Sequence, residues 1–215
     1  MLLSQHYRLF NEICSEKEDV RKSALSQLHD LEGGEQTSAI DLIGYILQEE
    51  NPIVHIYIIK ALGRLGDLVA IQPLSEIYRT SNNPLILQVV LESCQQLKND
   101  QFAQPIFDRL RGKKVPKGLK YVLKSQMDFF DEEMILDQIT ALAMKTLQVC
   151  GTQKSKKDLL PFLEHDDHDV RFQCLKAFDL LKISVERKKL AKFQTHDLSP
   201  YVQKQAEIML EKLDQ

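Results

Sequence analysis

Six leucines constrain this chain more than any other feature of it. Leu31, Leu65, Leu97, Leu147, Leu181 and Leu213 each lie eleven residues after an aliphatic anchor, namely Val20, Val54, Ile86, Leu136, Val170 and Val202. Successive anchors are 34, 32, 50, 34 and 32 residues apart. A near-constant spacing of this length marks stacked helical pairs, because one pair cannot bury its apolar stripe alone and needs a neighbour on each side. The pattern predicts an all-α, right-handed α-α superhelix of about six helical pairs with one irregular central unit. Such a stack is continuous, so residues 1–215 are expected to form a single domain, with the irregular unit at about 101–130.

Composition agrees with a packed, water-facing protein. Apolar residues make up 43% and charged residues 27%, far from the range of chains that cannot build a core. The net charge of -3 removes the overall basic field of a dedicated nucleic-acid binder, so any electrostatic function must be local. Cys14, Cys94, Cys150 and Cys174 form no CxxC pair, and helical patterning over this length needs no staple. They read as buried thiols in a reducing, cytoplasmic compartment. The start, MLLSQHYRLFNEI, meets His6 and Arg8 early and has no long apolar segment, so it does not read as a signal peptide. No apolar run reaches the length of about 18 residues that suggests a membrane span.

Along the chain, breakers and caps alternate with helical patterns. Gly33-Gly34, Gly66-Asp67 and Gly151 end helices, while Pro52 and Pro84 sit in first turns, where a missing N–H costs nothing. The run Ile53, Val54, Ile56, Tyr57, Ile58 and Ile59 is too continuous for a surface helix and predicts the most buried helix of the chain. His55 and Tyr57 within it read as satisfied inter-repeat residues. In the long helix from Glu132 to Cys150, Ile135, Leu136, Ile139, Leu142, Ala143 and Leu147 are expected to face inward. Between Leu97 and Leu136 the period fails, and the two helical patterns there leave one helix more than regular spacing requires. The last helix carries Gln203, Lys204, Glu207, Glu211 and Lys212, the solvated face of a terminal cap.

Val54, Ala61, Leu62, Gly63, Leu65, Gly66 and Asp67, together with Val20-Arg21 and Val170-Arg171, resemble the second-helix signature of HEAT repeats, and most closely the short HEAT-like repeats of the phycobilisome lyase type. The resemblance implies the solenoid fold over most of the chain outside 101–130. It implies no single function, since similar repeats serve as scaffolds, adaptors, lyases and nucleic-acid-binding modules. The second position of the signature is Arg only at Arg21 and Arg171, so a continuous ladder of Asp-Arg pairs between repeats is not expected.

Arg109, Arg111, Lys113, Lys114, Lys117, Lys120 and Lys124 fall in a stretch of sixteen residues without one acid, inside the irregular unit. They are the candidate partner-binding residues, suited to an acidic protein surface; only Phe107 and Tyr121 are interleaved, poor material for stacking bases. His165, Asp166, Asp167, His168 and Asp169 are metal-ligand types without the spacing of a known site, and Asp167 or Asp169 is expected to cap the following helix. No GxSxG, HExxH or phosphate-cradling glycine loop is present, so no catalytic residue, metal or cofactor is assigned. The reading is a non-enzymatic protein-protein interaction scaffold or adaptor that binds another protein. The resemblance keeps two alternatives open, a bilin lyase or chaperone-lyase of the phycobilisome type and a HEAT-like nucleic-acid-binding or DNA-repair module.

Overall fold

The computed structural model describes residues 52–111 and 132–214, together with Glu12, Lys17, Asp19, Val20, Ser23, Ala24, Gln27 and Leu42 among the first fifty. The expected helices before Pro52, apart from those positions, and the segment 112–131 lie outside the described residues. All regular structure among the described residues is helical, and no helix there is long and apolar enough to cross a membrane. The chain divides into two compact units, Met1–Asn99 and Asp100–Gln215.

In the first unit, α1 (Pro52–Leu65) leads through a 3-10 turn at Leu68–Ala70 into α2 (Ile71–Thr80) and α3 (Pro84–Leu97). Sequence chemistry sets these bounds. Gly66, at φ 73°, takes the left-handed conformation that ends α1, and the Asp67 carboxylate accepts the Val69 N–H at 3.0 Å to open the next turn. Asn83 caps α3 by accepting the Leu85 N–H at 3.0 Å, with Pro84 in the first turn. Helix α3 packs on both α1 and α2. Ile58, Ile59, Ala61 and Leu62 are fully buried, as the continuous apolar run requires. Helices α1 and α3 approach closely at Gly63, where an added Cβ would lie 2.8 Å from the Cα of Ser93. Ser93 Oγ, itself buried, donates to the Ile59 carbonyl at 3.0 Å, so the crossing is both tight and hydrogen-bonded. His55 and Tyr57 are half-buried on α1.

In the second unit, α4 (Ala103–Arg111) is followed by α5 (Glu132–Cys150), the short α6 (Lys156–Leu159) with its 3-10 continuation Leu160–Glu164, α7 (His168–Leu180), α8 (Arg187–His196) and α9 (Pro200–Leu213). Pro161 lacks an N–H, and the segment tightens to 3-10 geometry there. Helices α5, α7 and α9 lie side by side, while α4 packs on α5, residues 160–164 on α7 and α8 on α9. The long helix therefore has a partner in α4.

One register expectation is corrected. Leu136, the anchor assigned to α5, is 39% exposed, and Leu142 is only half-buried. Ile135, Ile139, Ala143 and Leu147 are buried as expected. Gln148 donates to both the backbone and side-chain oxygens of Gln173, and a Cβ on Gly151 would meet Leu181 at 2.8 Å. The buried residues Ile139, Ala143, Met144, Thr146 and Leu147 recur 31 residues on as Val170, Cys174, Leu175, Ala177 and Phe178, not at the 34 of the anchors, because α5 is 19 residues long against 13 for α7 and its extra length is N-terminal. Rising residue numbers meet rising residue numbers across this pair, so α5 and α7 run parallel.

Candidate functional site

The turn before α7 is built from the acid and histidine cluster. Asp167 is the cap, accepting the Val170 N–H at 2.9 Å, and the Nδ1 of His165 accepts the Asp167 N–H at 3.2 Å. Asp169 lies outside the cap, its carboxylate 3.5 Å from His168 Nε2. Among the described residues no group of His, Cys, Asp and Glu side chains has the arrangement of a metal site.

Arg171 ties this turn to the next repeat. Its Nη1 donates to the carbonyls of His165 and Asp166, both at 2.7 Å, while Nε and Nη2 form a fork on the Asp197 carboxylate at 2.8 and 2.9 Å. Asp197 also accepts, at 2.9 Å, the N–H of Ser199, the residue before α9, whose own side chain makes no capping hydrogen bond. Burial alone would raise the Asp197 carboxyl, but the hydrogen bonds from Arg171 and Ser199 and the nearby positive charge outweigh it and hold the group below the ordinary carboxylate range. One Asp-Arg rung is thus present, at one of the two positions where the sequence supplies the arginine; Arg21 lies outside the described residues.

Of the basic candidates, Arg109 and Arg111 are on the last turn of α4. Arg109 is half-buried, and the Arg111 guanidinium pairs with Asp158 and lies 3.7 Å from Asp108. Lys113, Lys114, Lys117, Lys120 and Lys124 lie outside the described residues.

The second unit carries a feature that the sequence did not single out. An open groove of about 320 Å³ runs across the shared face of α5, α7 and α9, lined by Ala141, Leu142, Lys145, Asp169, Phe172, Gln173 and Tyr201. Phe172 and Tyr201 approach with ring centroids 6.1 Å apart and planes tilted by 55°, and Tyr201 is 66% exposed. The Lys176 ammonium lies 5.5 Å from the Phe172 ring centroid. Lys145 is exposed, and among the described residues it has no hydrogen-bond or ion-pair partner. The acid nearest in sequence to Lys176 is otherwise engaged: Asp179 binds Lys212 at 2.7 Å and Gln205 at 3.2 Å. Two aromatic faces, an aliphatic wall and two lysines without an ion pair among the described residues make a surface suited to holding an extended chain. The signal for it was an aromatic residue at a polar-face position of two neighbouring repeat helices.

Comparison with known proteins places the fold. A family model of HEAT repeats matches residues 8–95. Among solved structures, the complex of CpcE and CpcF of phycocyanin lyase from Nostoc sp. PCC7120 matches over 94% of this chain and 74% of that chain, at 17% identity and a TM-score of 0.54. A designed armadillo repeat protein in complex with the peptide (KR)4 matches over 95% and 97% of the two chains, at 15% identity and a TM-score of 0.47. No curated protein matches the chain significantly.

Proposed function

On the premise that this chain is built of HEAT-like repeats, we propose that it is a non-enzymatic protein-binding scaffold or adaptor whose contact surface is the groove of α5, α7 and α9. The observation that carries this reading is the Phe172–Tyr201 pair, with Tyr201 66% exposed, flanked by Lys145 and Lys176, neither of which has an ion-pair partner among the described residues. Exposed aromatic residues in a partly enclosed surface are the usual anchors of a protein contact. The basic segment from Arg109 to Lys124 is proposed as a second, charge-steering contact for an acidic partner, and a single array over 1–215 as the organisation that presents both.

Panning a random-peptide phage library on the intact protein tests this. Peptides that converge on a consensus, and that lose binding to F172A/Y201A while keeping it on K113E/K114E/K117E/K120E, support the groove. A consensus lost only on the lysine variant moves the contact to the basic segment and overturns the groove assignment. No convergence at all, with circular dichroism showing all proteins folded alike, overturns the protein-binding reading.

A further inference from the structure

The chemistry of the partner can be read from the order of charges along the groove. Along α7, Asp169 comes first, Phe172 follows about one turn later, and Lys176, just outside the groove lining with its ammonium 5.5 Å from the Phe172 ring centroid, comes about one turn beyond that; Lys145 lines the groove from α5. From Asp169 to Lys176 is seven residues of α7. At about 1.5 Å per residue this is roughly 10 Å of rise, which an extended chain crosses in about three residues. The groove is thus negative at one end, aromatic in the middle and positive at the other. Lys204, one turn after Tyr201, does not alter this order, because Glu207 holds it at 2.6 Å.

We propose that the groove recognises an extended peptide segment in which a large apolar side chain is followed directly by carboxylates and preceded, one or two residues earlier, by a basic or neutral residue. The apolar side chain packs between Phe172 and Tyr201. The carboxylates meet Lys145 and Lys176, whose only described contact is the Phe172 ring. Charge complementarity selects this occupant over others. A polybasic peptide would set like charge against both lysines. A nucleic-acid strand would gain from the lysines but would bring its phosphates against Asp169, and it would meet two aromatic rings tilted at 55° to each other instead of a flat platform. The inference rests on the protein-binding reading above and names the partner's chemistry for that same groove.

Fluorescence anisotropy with a labelled peptide, Gly-Gly-Lys-Ala-Phe-Glu-Glu-Gly, on the full chain tests it. The expected result is saturable binding that weakens with added salt, falls by about tenfold or more for K145E/K176E, and falls similarly when the peptide Phe is replaced by Ala. A peptide with Lys-Lys in place of Glu-Glu is expected not to bind the natural protein but to bind K145E/K176E, and this charge-swap rescue separates recognition from damage to the fold. Equal binding of the Glu-Glu and Lys-Lys peptides overturns the proposal, as does tighter binding of a single-stranded oligonucleotide that ignores F172A. If the phage library converges on groove-dependent peptides without an acid beside an apolar residue, this inference fails while the protein-binding reading stands. If the library does not converge, both fail.

Discussion

The Arg171–Asp197 rung is the point where removing a few atoms should do most to the second unit. The two side chains are only 14% and 5% exposed, so neither charge is solvated once its partner is gone. Breaking a buried, hydrogen-bonded pair from one side costs about 3–5 kcal/mol, whereas removing both partners costs less, because no charge is left stranded. Arg171→Met, which keeps most of the stem, is expected to lose about 3 kcal/mol and to move the urea midpoint by about 1–3 M. Asp197→Ala should cost somewhat less than the upper end, since Arg171 keeps the His165 and Asp166 carbonyls, but it also orphans the Ser199 N–H. The double variant should fall short of the sum by about 2 kcal/mol. Native-state hydrogen exchange gives the location: amides of α8 and α9 should open first, because in a stack each pair is held only by its neighbour.

The same rung predicts a pH signature whose sign can be worked out. The folded Asp197 carboxyl is held below its ordinary value of about 3.9, so it contributes stability that is full above about pH 4 and is lost as pH falls through the depressed folded value. In Arg171→Met the arginine's hydrogen bonds and charge are gone and burial governs, which pushes the carboxyl up. That variant should then lose stability as pH rises through about 4, where the natural protein gains it. The difference between the two is therefore largest at neutral pH and shrinks below about pH 4. Additive single effects, or a stability difference that is flat from neutral pH to about pH 2, would refute the reasoning.

Three further outcomes follow from packing. Gly63→Ala should lower stability by about 1–2 kcal/mol, because overpacking against the Ser93 backbone, 2.8 Å from the new Cβ, exceeds the roughly 1 kcal/mol that alanine adds to helix propensity; an unchanged or raised thermal midpoint counts against the close crossing. Ser199→Ala should be neutral or stabilising by up to about 1 kcal/mol, unlike an ordinary cap deletion, since its buried Oγ has no hydrogen-bond partner among the described residues; a loss of about 1 kcal/mol or more in urea denaturation overturns this. Cys94, Cys150 and Cys174 are buried, and burial raises the Cys174 thiol far above its usual range, so native protein should react with a thiol reagent at no more than one of its four cysteines until denaturant is added. Rapid titration of two or more equivalents in buffer would show that these helices open locally.

Helix type and most boundaries were legible because they depend on residues close in sequence. Pro52, Pro84 and Pro200 each stand in a first turn, Gly66 ends α1 through its positive φ, Asp167 caps α7, and of the apolar run of α1 Ile58 and Ile59 are buried while Ile56 and Tyr57 are half-buried. The register of α5 was not legible, for a physical reason. A pair of aliphatic residues eleven apart fits any amphipathic helix that is long enough, and α5 offers extra N-terminal turns in which Leu136 can stand as an anchor although it is 39% exposed. That single slip also conceals the groove. In the anchor register Lys145 is equivalent to Asp179, 34 residues later, and would be read as one half of an inter-repeat ion pair. In the structure Asp179 is taken by Lys212 and Gln205, while Lys145 lies instead beside Phe172 and Gln173, 27 and 28 residues on. The buried faces of α5 and α7 match at a spacing of 31, a shift of three residues or about one helical turn, and this register sets Lys145 at the position of Lys176 rather than of Asp179.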